Sequence, residues 1–553
     1  INLLPEQKSG IYFSEVLMNS RPVEISIIQP EVPGKYDSTV AKIDFEKPLL
    51  PGDSIKFHFK YRLPIPKMMK RFGYAAGRNF FFISQWFPKP GVFSEGKWIC
   101  SQYHPYTNFF ADFGNYNVRL TVPASYKVAA SGVQRDTSVA NDKTVFHFYQ
   151  NGVHDFVWMA TDNIEKTYSV YKRKDGTQVL IEAFIQPEHE KYKGRFINAV
   201  KNSLKFFEDH IGIYPYQTLT ITDVPKTSLS GGMEYPTLIT VGAELFSPSE
   251  TLQPEYVTIH EFVHQFFYGI IANNEVYEAW LDEGLTSYIA TKIAYKYYGQ
   301  PWANFKLFGY YPVFGMNLIS YNEIPVVYTL GEYRVEEGAQ ALARYYQSPL
   351  CASISDTSYK LPDGISYAIT GYSKPELMLL SLERYLGFDK VMGILRKYYE
   401  TYKFRHPTGE DLIKTIKENS DKDIAWFFSN LYQSSSVYDY SLRYIKPTSN
   451  ANEYEVFAER LRDGVFQVDI ALYTEKDTLY QSWSGVERWK KLIFHTPNKV
   501  LGAEIDPLRK NIMDLNYSNN SYIINEQFAG SASIVLRWLF WMQNLVLLLG
   551  SAA

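Results

Sequence analysis

At 553 residues, 46% of them hydrophobic and 21% charged, the chain has the size and composition of a globular protein of roughly three or four domains. A net charge of −3 leaves no electrostatic footprint for nucleic acid, so no nucleic-acid partner is expected. Two cysteines, Cys100 and Cys351, exclude a disulfide framework and a cysteine-rich metal site.

The chain opens on Ile1 rather than methionine, as expected of a processed or excised chain. Residues 1–195 read as β structure. Residues 55–63 alternate polar and apolar at period two, as do Val118, Leu120 and Val122, and later Val179, Ile181, Ala183 and Ile185. From Phe196 the period changes. Phe196, Ile197, Val200 and Leu204 have helical spacing, with an end expected near Gly212, and helical patterns dominate to about residue 435. Short strands are expected at 218–222 and 237–241. Alternation returns between 438 and 507, where Phe466, Val468, Ile470 and Leu472 mark a strand.

The tail is different. A run that begins at Ile534 and ends at Leu549 is almost wholly apolar and contains no acid. As a helix it would be about 24 Å long, short of the ~30 Å hydrocarbon core. Three readings stay open: a helix docked on the protein, a tryptophan-anchored helix making membrane-interface contact, or a shortened spanning helix.

Chemistry concentrates between residues 260 and 283. His260-Glu261-Phe262-Val263-His264 is an H-E-x-x-H pattern, followed after eighteen residues by Glu283. Positions four apart share a helix face, so His260 and His264 can aim two imidazoles at one metal, with Glu261 placed as general base. Glu283, at the expected start of a helix over 283–298, can supply the third ligand. Two imidazoles, one carboxylate and an open position make a catalytic site for one Zn2+ ion rather than a structural one. Apolar neighbours such as Ile259, Phe262 and Phe266 make burial of these polar groups costly unless something pairs them, and a metal does so.

Upstream lies Gly231-Gly232-Met233-Glu234-Tyr235. Glycines let another backbone approach closely, and Glu234 then faces whatever lies along that edge. Taken alone the segment reads as a turn with a solvated glutamate. Together with the zinc pattern, the Gly-x-Met-Glu element resembles the aminopeptidase N family of zinc metallopeptidases, in the gluzincin clan. Tyr235 departs from the family's asparagine. Gly371-Tyr372-Ser373-Lys374 resembles the family's Y-x-K-G element, with Pro375 in place of glycine; Ser373 and Glu376 form a capping-box pattern there, and Tyr367 is a nearby competitor for the tyrosine role. Gln85-Trp86-Phe87-Pro88 is loosely similar to an F-P element of the first domain, but the family's second amine-binding group is not located by it.

The resemblance implies a multidomain α+β protein: an N-terminal β domain (1–195), a thermolysin-like, mainly helical zinc catalytic domain (196–435), a small β-sandwich-like C-terminal domain (436–515), and a linker with a hydrophobic C-terminal helix (516–553). The family's further large helical domain is expected to be absent. The implied activity is a zinc-dependent aminopeptidase acting on peptides with a free N-terminus. His260, His264 and Glu283 would hold the metal, Glu261 and Tyr372 would be catalytic, and Gly231, Gly232, Met233 and Glu234 would bind substrate. Two rivals stay open: a thermolysin-like metalloendopeptidase and a non-catalytic binding module of the same fold. Epoxide hydrolysis, known in one branch of the family, has no residue pointing to it.

Overall fold

In the computed structural model, which describes residues 5–31, 37–68, 70–228, 230–307, 311–314, 333–524 and 528–551, the alternation at 55–63 becomes the strand Phe57–Arg62, its side chains half-buried and exposed in turn. It pairs antiparallel with Tyr12–Met18. Further along, Gly114–Pro123 pairs with Lys143–Val153, and Trp158–Thr161 sits between Lys127–Ala130 and Phe80–Ile83 in a four-stranded sheet. The inward residues of that sheet, Phe80, Phe82, Ala129 and Met159, pack in one cluster with Met233, Tyr235 and Leu238. The core of the first domain thus closes directly on the glycine-rich segment. This is the physical setting of Tyr235: its ring lies against Phe82, 5.6 Å between centroids.

A second sheet runs in the order Glu165–Lys172, Gln178–Ile185, Thr218–Asp223, Leu238–Val241. The last two strands join in parallel, the first pair antiparallel. Two strands that precede residue 195 therefore extend the sheet of the helical unit. The helix Lys193–His210 follows and lays Phe207 flat on Phe266, 3.8 Å between ring centroids. Truncating a buried ring of this kind costs about 3–5 kcal/mol. Beyond the edge strand, Met233 and Thr240 exchange backbone hydrogen bonds (Thr240 N to Met233 O 2.8 Å), so residues 231–235 run antiparallel along the sheet edge.

Helices Gln253–Val263, Leu285–Tyr298, Lys374–Leu386, Phe388–Tyr402 and Gly409–Asn419 build the body of this unit. The C-terminal alternation forms two facing sheets: Tyr440–Pro447, Glu453–Arg460 and Trp489–His495 in one, and Thr478–Trp483, Val468–Thr474, Val500–Ile505 and Ser521–Ile523 in the other. Trp483, Ile470, Val456 and Leu492 fill the space between them and join the same core as the helical unit. Phe466, expected in a strand, lies just outside Val468–Thr474 and packs against Trp426 and Phe427. The tail is helical over Phe528–Ser551 and exposes Val535, Leu536, Trp538 and Leu539. Among the described residues no helix is long and apolar enough to cross a membrane.

Candidate metal centre and active site

The helix Gln253–Val263 starts with Pro254 in its first turn, where a missing N–H costs nothing. Arg195 from the preceding helix grips its Glu255, Nε to Oε1 2.5 Å, fixing the helix axis. His260 lies in the last turn and His264 caps the end. Their Nε2 atoms are 3.2 Å apart, and Glu283 Oε2 lies 3.2 Å from His260 Nε2 and 3.1 Å from His264 Nε2. Ligand bonds of about 2.0–2.1 Å in tetrahedral zinc place ligand atoms about 3.3 Å apart, so these three donors fit one zinc ion. A carboxylate stands behind His264: Asp282 Oδ1 is 2.5 Å from Nδ1, with both side chains buried. That contact puts the ring proton on Nδ1 and turns Nε2 toward Glu283 and His260.

Burial pushes the His260 imidazole down, toward the neutral form that a metal requires. In His264 burial acts in the same sense, but Asp282 and Glu283 outweigh it and raise the imidazole. Burial and the nearby Glu234 push the Glu261 carboxyl well above the usual range. For Glu283 burial is opposed and outweighed by the two histidines, which hold it low.

Glu283 does not begin a helix. It sits in a π turn, Trp280–Gly284, between Glu275–Ala279 and Leu285–Tyr298. Tyr372 sits in a second π turn, Ile369–Ser373, between Gly364–Ala368 and Lys374–Leu386. Such turns widen a helix locally and redirect side chains, and they are frequent at functional sites. The two turns pack on each other. A Cβ on Gly284 would meet the Cβ of Pro375 at 2.3 Å, so glycine there permits the contact. The contact brings the Tyr372 hydroxyl onto Glu283 Oε1, where it donates a hydrogen bond. The capping box expected at Ser373 and Glu376 is not formed. Ser373 is already helical, so no helix starts there, and Glu376 instead accepts from Thr291 at 2.9 Å. Tyr367 points elsewhere, donating to Glu275 Oε1 at 2.7 Å.

Glu234 is buried, and its carboxylate lies within 4.8 Å of ligand atoms of Glu261 and His264. Gln265, which no motif singled out, ties this segment to the metal helix. Its Oε1 accepts from Thr237 N at 2.7 Å and its Nε2 donates to Tyr235 O at 3.0 Å. The two glycines have different duties. A Cβ on Gly232 would lie 2.0 Å from Glu261 Oε1, whereas one on Gly231 would meet nothing within 4 Å. Gly232 makes room for Glu261. Met233 is anchored in the first-domain cluster.

The segment 85–88 does not join this site. Gln85 and Lys89 both contact Asp155, and Trp86 Nε1 donates to Phe156 O at 2.9 Å, so it braces the close of the first domain. The first-domain residue that does reach Glu234 is Asn108, whose Nδ2 donates to Glu234 Oε1 at 2.6 Å. Nothing in the local sequence signalled it, since it lies in an irregular stretch with no periodicity. Glu234, Glu275 and Asp282 also form a close, buried group.

Residues 196–431 match the model of the peptidase family M1 domain. That match takes in the helical unit and less than half of the chain. Among curated proteins it is 23% identical over 214 residues to leukotriene A-4 hydrolase of Xenopus laevis, covering 38% of this chain and 31% of that protein. It is 23% identical over 362 residues to aminopeptidase N of Lactococcus lactis subsp. lactis, covering 64% and 38%. The chain thus spans about a third of the length of such relatives. In fold it is similar to aminopeptidase A of Legionella pneumophila, solved in complex with aspartic acid, with a TM-score of 0.64 at 14% identity over 92% of this chain and 55% of that one. It is also similar to an M1 zinc metallopeptidase of Deinococcus radiodurans, with a TM-score of 0.51 at 17% identity over 74% and 81%. These likenesses establish the β-plus-helical, multidomain layout around the M1 domain.

Proposed function

We propose that this chain is a zinc-dependent aminopeptidase that removes the N-terminal residue of peptides. The observation that carries the reading is the proximity of Glu234 to His264 and Glu261, within 4.8 Å. In a substrate's first residue the α-nitrogen and the scissile carbonyl are about 2.5 Å apart, two bonds away from each other. A receptor for the ammonium must therefore lie about this close to the metal.

His260, His264 and Glu283 hold zinc, consistent with their tetrahedral spacing. Bound there, zinc supplies Lewis acidity and lowers the pKa of water toward neutrality. Glu261 takes the proton from the attacking water and passes it to the leaving amine. The Tyr372 hydroxyl, now on Glu283, donates to the oxyanion that develops at the carbonyl. Glu234 receives the substrate's α-ammonium through a charge-assisted hydrogen bond. Gly231, Gly232 and Met233 line the same edge, where residues 231–235 run beside the sheet.

The chain is read as an N-terminal β domain over 1–195, a catalytic domain over 196–435, a C-terminal β domain over 436–515 and a linker with a helix over 516–553, and the strands Glu165–Lys172 and Gln178–Ile185 of the first pair into the catalytic sheet. The tail from Ile534 to Leu549 is read as a hydrophobic helix making membrane-interface contact, on the strength of exposed Leu536, Trp538 and Leu539.

The test uses one peptide with a free N-terminus and its N-acetylated twin. The wild type is expected to shorten the first by one residue at a time and to leave the second intact. Glu234→Ala should lose most of that activity while retaining zinc. Internal cleavage of the acetylated peptide at a comparable rate would instead support the thermolysin-like endopeptidase, and zinc binding without any cleavage would support the binding module.

A further inference from the structure

Two residues of the first domain, Arg71 and Asn108, converge on Glu234 from outside every recognised motif. Asn108 is buried and makes three directed contacts. Its Nδ2 donates to Glu234 Oε1 at 2.6 Å, its backbone N donates to Glu275 Oε2 at 2.6 Å, and its Oδ1 accepts from Arg71 Nη1. Chemistry sets the orientation of this amide. A guanidinium can only donate and an ionised carboxylate can only accept, so Oδ1 must face Arg71 and Nδ2 must face Glu234. The flipped amide would oppose donor to donor and acceptor to acceptor.

The frame around the amide is firm. Ser84 Oγ donates to Arg71 O at 2.9 Å, and Lys70 N donates to Ser228 O at 3.3 Å, which fastens the arginine's loop beside the Gly231–Glu234 edge. Glu275 is held on its other oxygen by Tyr367. Arg71 is open to solvent on one side. Burial opposes its charge, but Glu234 and Glu275 outweigh that and keep the guanidinium protonated. Without the amide, the Glu234 carboxylate would lose this donor, while Glu275, within 4.8 Å of it, would keep the backbone N–H of Asn108.

We propose that Arg71 and Asn108 are positioning residues. Arg71 fixes the amide of Asn108, and Asn108 fixes the Glu234 carboxylate in the one rotamer that leaves its second oxygen open to the substrate's α-ammonium. This rests on the aminopeptidase reading of Glu234. The first domain thereby completes a subsite whose receptor belongs to the catalytic unit.

The experiment compares two inhibitors with the same metal-binding head, alanine hydroxamate and its amine-free counterpart propionohydroxamate, on the zinc-loaded full chain. Asn108→Ala should weaken alanine hydroxamate about tenfold or more, as expected for losing a hydrogen bond to a charged group, and change propionohydroxamate less than about twofold. In turnover of an aminoacyl arylamide, KM should rise more than kcat falls. Asn108→Asp keeps the contact to Arg71 but sets a carboxylate against Glu234, and should cost more than Asn108→Ala. Arg71→Met frees the amide to flip and should cost about three- to tenfold in the same direction. Its solvent-open side makes it the variant that carries the test if either Asn108 variant fails to fold. Equal weakening of both hydroxamates, or no weakening of either, would overturn the relay. A wild type that binds the two hydroxamates equally would remove the amine subsite itself, and the relay with it.

Discussion

The proposed metal triad and the proposed amine pocket stand side by side but are built by different means. The triad draws on 24 residues of chain, from His260 to Glu283, and its two imidazoles share a face through helical spacing alone. The pocket gathers Arg71, Asn108, Glu234 and Glu275 across more than 200 residues and two domains. The two imidazoles keep their spacing wherever that helix is folded, and Glu283 joins them from the π turn that follows. A site made across domains depends on how those domains pack, here through the cluster of Phe80, Phe82, Met233 and Tyr235. Disturbing the triad should therefore abolish chemistry, while disturbing the pocket should change which substrates are held.

The largest effect is expected at the triad. Glu261→Gln should lower turnover by at least about three orders of magnitude with zinc content unchanged, since the ligands remain while the base is gone. Glu283→Gln should lose tight zinc instead. Metal analysis beside activity separates the two, and a Glu261→Gln enzyme with near-normal turnover would remove Glu261 from the mechanism.

A smaller loss, about two to three orders of magnitude in kcat with little change in KM, is expected for Tyr372→Phe. Tyr367→Phe should leave kcat much closer to normal, because its hydroxyl serves Glu275 rather than the metal ligand. The opposite ranking in steady-state kinetics would transfer the oxyanion role to Tyr367.

The finest contrast lies within the glycine pair. Gly232→Ala places a Cβ on Glu261 and should lower kcat at least about tenfold, whereas Gly231→Ala enters open space and should change it less than about twofold. Equal effects of the two substitutions would mean that the loss comes from backbone freedom and not from the approach of Glu261.

That His260, Glu261 and His264 come together was legible in the sequence because spacing along one helix translates directly into proximity, whereas Glu283 and Glu234 stand on other elements and are singled out by their place in a motif. Strand alternation in 55–63 and helical spacing from Phe196 were legible for the same reason. Tertiary structure decided the rest. The two π turns that bring Tyr372 to Glu283 arise from helices packing at Gly284 and Pro375, and helical spacing carries no trace of that contact. The capping box at Ser373 read as a helix start, yet the helix runs through it, because packing against the neighbouring turn outweighs a local cap worth about 1 kcal/mol. Asp282 behind His264, Gln265 beneath Glu234, and Asn108 with Arg71 are single polar residues. Their partners lie on other elements, and only the folded chain brings those elements within hydrogen-bonding reach.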